Sequence, residues 1–138
     1  MRSSLFCALA FAPVVAHADC LPAETLALSC ALPSGGLLEL CWTPQEARLA
    51  YDKEPGLPAE VSVPLGDVTG LTASDWASST LRGIGASYEV YLSGGVAGMN
   101  LIRDDGGTTS YACASGTANG SLAALNDAAL YAPTTKEN

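Results

Sequence analysis

The chain has 138 residues and a formal net charge of -8, from 14 Asp plus Glu against 6 Lys plus Arg. That balance leaves no basic patch to release phosphate counterions, which argues against nucleic acid and anionic membrane surfaces as partners. With 49% hydrophobic and 14% charged residues, the composition is far from that of a disordered chain, and the length fits one domain.

The N-terminus opens with Met1-Arg2, an uncharged apolar run over residues 5–15, and Ala16-His17-Ala18 as an A-x-A cleavage site. This pattern predicts a signal peptide over 1–18, a single disulfide-stabilised β domain over 19–131 and a flexible tail over 132–138. The apolar run is too short to cross a bilayer, which needs roughly 20 helical residues, so no integral membrane span is expected. Cleavage after Ala18 places the mature chain in the periplasm or outside the cell. It also removes Arg2, Cys7 and His17, leaving a net charge of -9, no histidine and four cysteines.

An even cysteine count in a small exported chain predicts two disulfides, with three possible connectivities. Two strands, 24–32 and 37–42, flank Pro33-Ser34-Gly35-Gly36, and a type I′ turn centred on Gly35-Gly36 sets Cys30 opposite Cys41. The expected pairs are therefore Cys30 with Cys41 and Cys20 with Cys113. Further strands are expected at 47–51 and 60–64, separated by a Pro- and Gly-containing loop. Residues 66–85 are irregular in pattern, with Ser74-Asp75-Trp76-Ala77 suited to a single helical turn. The clearest alternation lies in 87–92, 98–103 and 108–113, joined by glycine turns, and Ser121 opens an Ala-rich helical segment. The predicted fold is all-β: a small antiparallel β-barrel or sandwich of six to eight strands, with two disulfides and a short C-terminal helical segment.

The chemical inventory is dominated by exclusions. Without histidine there is no Ser-His-Asp or Cys-His constellation, and disulfide-bonded cysteines are neither nucleophiles nor zinc ligands. Carboxylate chemistry survives: Glu39, Glu89, Asp67, Asp75, Asp104 and Asp105 are candidates for an acid and base pair, which requires two carboxyls roughly 5 to 9.5 Å apart across a cleft. No cofactor and no metal are expected. Asp104-Asp105 precedes Gly106-Gly107 as a turn and lacks the spaced ligands of an EF-hand loop.

Asp19-Cys20, Leu28-Ser29-Cys30, Leu40-Cys41-Trp42, Tyr88-Glu89-Val90-Tyr91 and Ser110-Tyr111-Ala112-Cys113 together resemble small periplasmic disulfide-bonded β proteins of Gram-negative bacteria. In build they are loosely similar to periplasmic lysozyme inhibitors. The inhibitors' Ser-containing loop followed by a Lys-bearing one is not found here, so no inhibitory residue carries over. The resemblance implies an architecture and a compartment. The function expected is a non-catalytic binding or inhibitor-like module, steered by its acidity toward a basic protein such as a lysozyme. Asp52, Glu54, Ser93, Asp104 and Asp105, all in turns, are the candidate contacts. The alternative is a carboxylate-dependent hydrolase of envelope glycans.

Overall fold

The computed structural model describes residues 20–51, 57–58 and 60–133. The expected signal peptide, Asp52, Glu54 and most of the tail lie outside these residues. Nine strands are found among them: β1 (Thr25–Ala31), β2 (Leu37–Trp42), β3 (Glu46–Ala50), β4 (Glu60–Pro64), β5 (Thr69–Thr72), β6 (Trp76–Arg82), β7 (Ala86–Ser93), β8 (Val96–Arg103) and β9 (Thr108–Ala112). They form two antiparallel meanders, β1 to β4 and β5 to β9, each in sequence order. The sheets are not closed on each other, so the architecture is a sandwich, with helix α1 (Leu122–Tyr131) at its side.

Alternation within each strand decides which face is buried. Leu28, Leu38, Leu40 and Leu49 point inward from the first sheet and meet Leu81, Tyr88, Val90, Met99 and Leu101 from the second. Tyr51, just beyond β3, joins the two layers. Its ring lies 5.4 Å from that of Tyr88 and 6.0 Å from that of Tyr111. The Tyr51 hydroxyl donates to the Pro58 carbonyl at 2.8 Å and lies 3.2 Å from the Tyr88 hydroxyl, so the buried phenols are satisfied.

Two expectations need correction. Residues 69–82 form β5 and β6 rather than an irregular stretch, and a 3₁₀ turn occurs earlier, at Leu65–Asp67. Alternation is weak in β6 because its inward residues are Ala77, Ser79 and Leu81. Ser79 is fully buried only because its hydroxyl donates to Asn126 of α1 at 2.6 Å.

The second correction is the disulfide pairing, which is Cys20–Cys41 and Cys30–Cys113. A type I′ turn needs positive φ at both central residues, yet only Gly35 of the Gly35-Gly36 pair has it, at 94°. The loop is longer instead: Ala31 pairs with Leu37, and Cys30 faces Leu38 rather than Cys41. Cys30 therefore shares the inward face of Leu38, whereas Cys41 lies on the outward face, and no bond between them is possible across the sheet. At the β7–β8 hairpin the expected turn chemistry does occur, with Gly94 and Gly95 both at positive φ between paired Ser93 and Val96.

The segment after β9 crosses from one sheet to the other. The Cys113 amide still bonds to Ala97 of β8, while the Ala114 amide donates to Ala31 of β1 at 2.8 Å. Asn119 and Ser29 then exchange both backbone hydrogen bonds at 2.8 Å, covering the outer edge of β1. Gly120, at φ 120°, lets the chain pass over Ala27, where any Cβ would collide with the Ala27 carbonyl. The Ser121 hydroxyl accepts from the Ala124 amide at 3.2 Å and caps α1.

Candidate functional site

The expected contact residues separate into two groups. Ser93 ends β7 at the same end of the second sheet as the β5–β6 loop, and the Gly94 amide reaches the Asp75 carbonyl at 3.3 Å. Asp104 and Asp105 lie at the other end of β8, whose eight residues span roughly 24 Å. Asp104 forms a 2.6 Å ion pair with Arg82, with both side chains largely in water, and Asp105 accepts from the Gly107 amide at 2.8 Å to close its own turn. Ser93 and the two aspartates therefore belong to different ends of the molecule.

The candidate carboxylates are also dispersed. Glu39 is on the outward face of the first sheet, next to the Cys20–Cys41 disulfide, and Glu89 is on the outward face of the second. Asp67 sits in the 3₁₀ turn and Asp75 in the β5–β6 loop. Glu89 accepts from Asn100 Nδ2 at 3.1 Å and Asn100 accepts from Ser110 Oγ at 3.0 Å, a cross-strand polar row on the exposed sheet face.

Two concavities border α1. The larger, about 890 Å³, runs between α1 and the Gly66 to Thr72 stretch, and among the described residues its one charged lining group is Asp127. The smaller, about 310 Å³, is walled by Asp75, Trp76, Leu92, Gly94 and Ser121, with Asp75 as its charged group. Both are lined by Thr72 and Ala123, so they flank the same helix. Leu71 and Trp76 are exposed large apolar residues on the outward face of the second sheet, and Leu130 is one on α1.

A buried polar lock fixes the helix between the grooves. Asn126 accepts from Ser79, and its Nδ2 lies within 3.0 to 3.2 Å of Leu71 O, Thr72 Oγ1 and Ser78 O. Gly70 makes room for it, since a Cβ there would overlap the Asn126 side chain. Sequence reasoning missed both Asn126 and Asp127. A helical segment rich in alanine gives no local sign of which polar residue will be buried.

The outward face of the first sheet carries an ionisable pair, Glu24 and Arg48, in which each partner shifts the other. Arg48 Nη2 and Nε donate to the two Glu24 carboxylate oxygens at 2.6 and 2.9 Å, and the Leu21 amide donates to Glu24 Oε1 at 2.7 Å. The hydrogen bonds from Arg48 hold the Glu24 carboxyl below its usual range against the opposing effect of burial. The same pairing with Glu24 raises Arg48, and Glu60 and Glu39 add to it. Cys41 and Arg48 are cross-strand partners, so the Cys20–Cys41 bond and the Glu24–Arg48 pair clasp residues 20–24 to one spot on β2 and β3.

Two disulfides in a small β domain are characteristic of an oxidising, exported compartment. Among the described residues no helix is long and apolar enough to cross a membrane. Comparison with protein-family models, curated proteins and solved structures gave no match.

Proposed function

We propose that this protein is a non-catalytic binding module of the periplasm or the extracellular space, inhibitor-like in build, that holds a cationic protein partner. The observation that carries this reading is the pair of concavities beside α1. Each is largely lined by apolar and small residues, and its charged lining group is an aspartate, Asp127 in one and Asp75 in the other. A partner segment presenting apolar side chains beside Lys or Arg suits such walls, because the apolar area supplies affinity and the carboxylates set the sign. The net charge of -9 after leader removal adds long-range attraction to basic proteins such as lysozymes.

The test is capture from a periplasmic extract by immobilised mature protein, followed by binding measurements with each captured protein and with a basic lysozyme at low and high salt. Association is expected to slow as salt rises from about 20 to about 300 mM, because the Debye length falls well below about 10 Å at the upper end. Asp75→Asn combined with Asp127→Asn should weaken binding further. Affinity that is indifferent both to salt and to these substitutions defeats the proposal.

A further inference from the structure

The two grooves beside α1 differ in what they offer a cation. The larger sets Asp127 among small and aliphatic walls, whereas the smaller sets Asp75 beside an aromatic ring, that of Trp76. Trp76 is 41% exposed at the start of β6 and so keeps surface for a ligand, and Asp75 precedes it in the β5–β6 loop. Ala77, Leu92 and Leu122 supply apolar wall. The β7–β8 turn that borders the recess is Gly94-Gly95, both at positive φ and without side chains to cover it.

The Asp75 carboxylate is not neutralised from within the fold. Among the described residues no hydrogen bond or ion pair reaches it, whereas Glu24 and Asp104 each hold an arginine of their own. Arg48 is committed to Glu24 on the first sheet. Arg82 and Arg103 stand at the opposite end of the second sheet, roughly 20 Å along the strands. An unmatched carboxylate next to an aromatic ring complements a cation brought from outside.

We propose that this smaller groove receives one arginine side chain of the cationic partner, an assignment that rests on the binding-module reading above. A guanidinium is planar: its face stacks on an indole while its N–H edge donates to a carboxylate, and Trp76 and Asp75 offer both. Its methylene stem is apolar and suits the wall of Ala77, Leu92 and Leu122. At about 310 Å³ the recess is at the lower end of ligand-pocket volumes, about 300 to 1,000 Å³, so it fits one long side chain rather than a folded segment. A lysine ammonium is a compact, strongly hydrated charge that gains less from the ring.

The test uses isotope-labelled mature protein, disulfides intact, followed by amide NMR. It is titrated with Nα-acetylarginine amide, with the neutral citrulline isostere and with Nα-acetyllysine amide. The arginine amide is expected to shift the Trp76 indole N–H and the Gly94 and Gly95 amides saturably, while the buried Trp42 indole N–H stays unmoved as an internal reference. The citrulline isostere should give no saturable shift, and the lysine amide should bind at least about threefold more weakly. Asp75→Asn and Trp76→Leu, read at Gly94 and Gly95, should each weaken binding about fivefold, the loss expected of one exposed ion-pair or cation–π contact. The probe stands in for the partner, so this result is separate from the capture experiment. A captured partner that responds to Asp75→Asn combined with Asp127→Asn, with no response to the arginine amide, overturns the arginine assignment and leaves the binding module standing. Equal binding of the arginine amide and either analogue, or undiminished binding in Asp75→Asn, overturns it as well.

Discussion

Replacing Asn126 with alanine tests whether a hydrogen-bonded lock, rather than apolar contact alone, seats α1 on the second sheet. The side chain accepts from Ser79 and offers its amide to Leu71 O, Thr72 Oγ1 and Ser78 O. At about 1 kcal/mol net for each of three to four bonds, Asn126→Ala should cost about 3 to 4 kcal/mol. A domain of this size loses about 3 to 5 °C of Tm per kcal/mol, so the melting point should fall by about 9 to 20 °C. Part of the cost arises because the fully buried Ser79 hydroxyl loses its acceptor. Ser79→Ala in the Asn126→Ala background should therefore be cheaper than in the native protein, with a coupling of about 1 kcal/mol. Urea unfolding followed by tryptophan fluorescence, with disulfides intact, reads all four corners of the cycle. A loss below about 1 kcal/mol for Asn126→Ala, or strict additivity of the two substitutions, refutes the lock.

Four further outcomes are expected. Because the folded-state pKa of Glu24 is depressed, its contribution to stability is present above the unfolded value of about 4.3 and is lost as pH falls through the lower folded value. Glu24→Gln should thus flatten the native acid limb below about pH 4.3, and identical limbs in the two proteins would contradict the pairing. Non-reducing peptide mapping should recover Cys20 joined to Cys41 and Cys30 joined to Cys113, and Cys20 joined to Cys113 would disprove the fold's register. With sequence separations of 21 and 83, chain entropy assigns about 3.3 and about 4.6 kcal/mol, so the Cys30→Ser, Cys113→Ser pair should be the more damaging in urea melts. Gly120→Ala should push the chain off Ala27 and speed hydrogen exchange at the Ser29 amide, while leaving amides of β7 and β8 protected.

The fold was readable where one side of a strand is apolar and the other is not. Tyr88, Val90 and Leu92 alternate against Glu89 and Tyr91, and the β7 to β9 meander follows from that pattern and its glycine turns. It was unreadable in β5 and β6, where the buried face consists of small and hydroxyl side chains completed by a helix about 50 residues later. The disulfide register failed for a narrower reason: Gly-Gly permits two positive φ values, but here only one is used, and a shift in loop length moves cysteines between faces. The candidate site was legible as charge alone. Turn composition singled out Asp104, which pairs with Arg82, and Asp105, which closes its own turn, whereas Asp127 borders a groove that exists only once α1 has docked.

The strap from Ala114 to Asn119 has a consequence for the order of events during synthesis and export. Each meander can assemble from neighbouring strands, since every pairing within it is between consecutive elements. The outer edge of β1 is not shielded by its own sheet; the residues that cover part of it lie about 90 positions downstream. A nascent chain with its first four strands formed therefore carries an uncapped, association-prone margin until its final quarter arrives, and truncation before Asn119 turns that passing exposure into a permanent one.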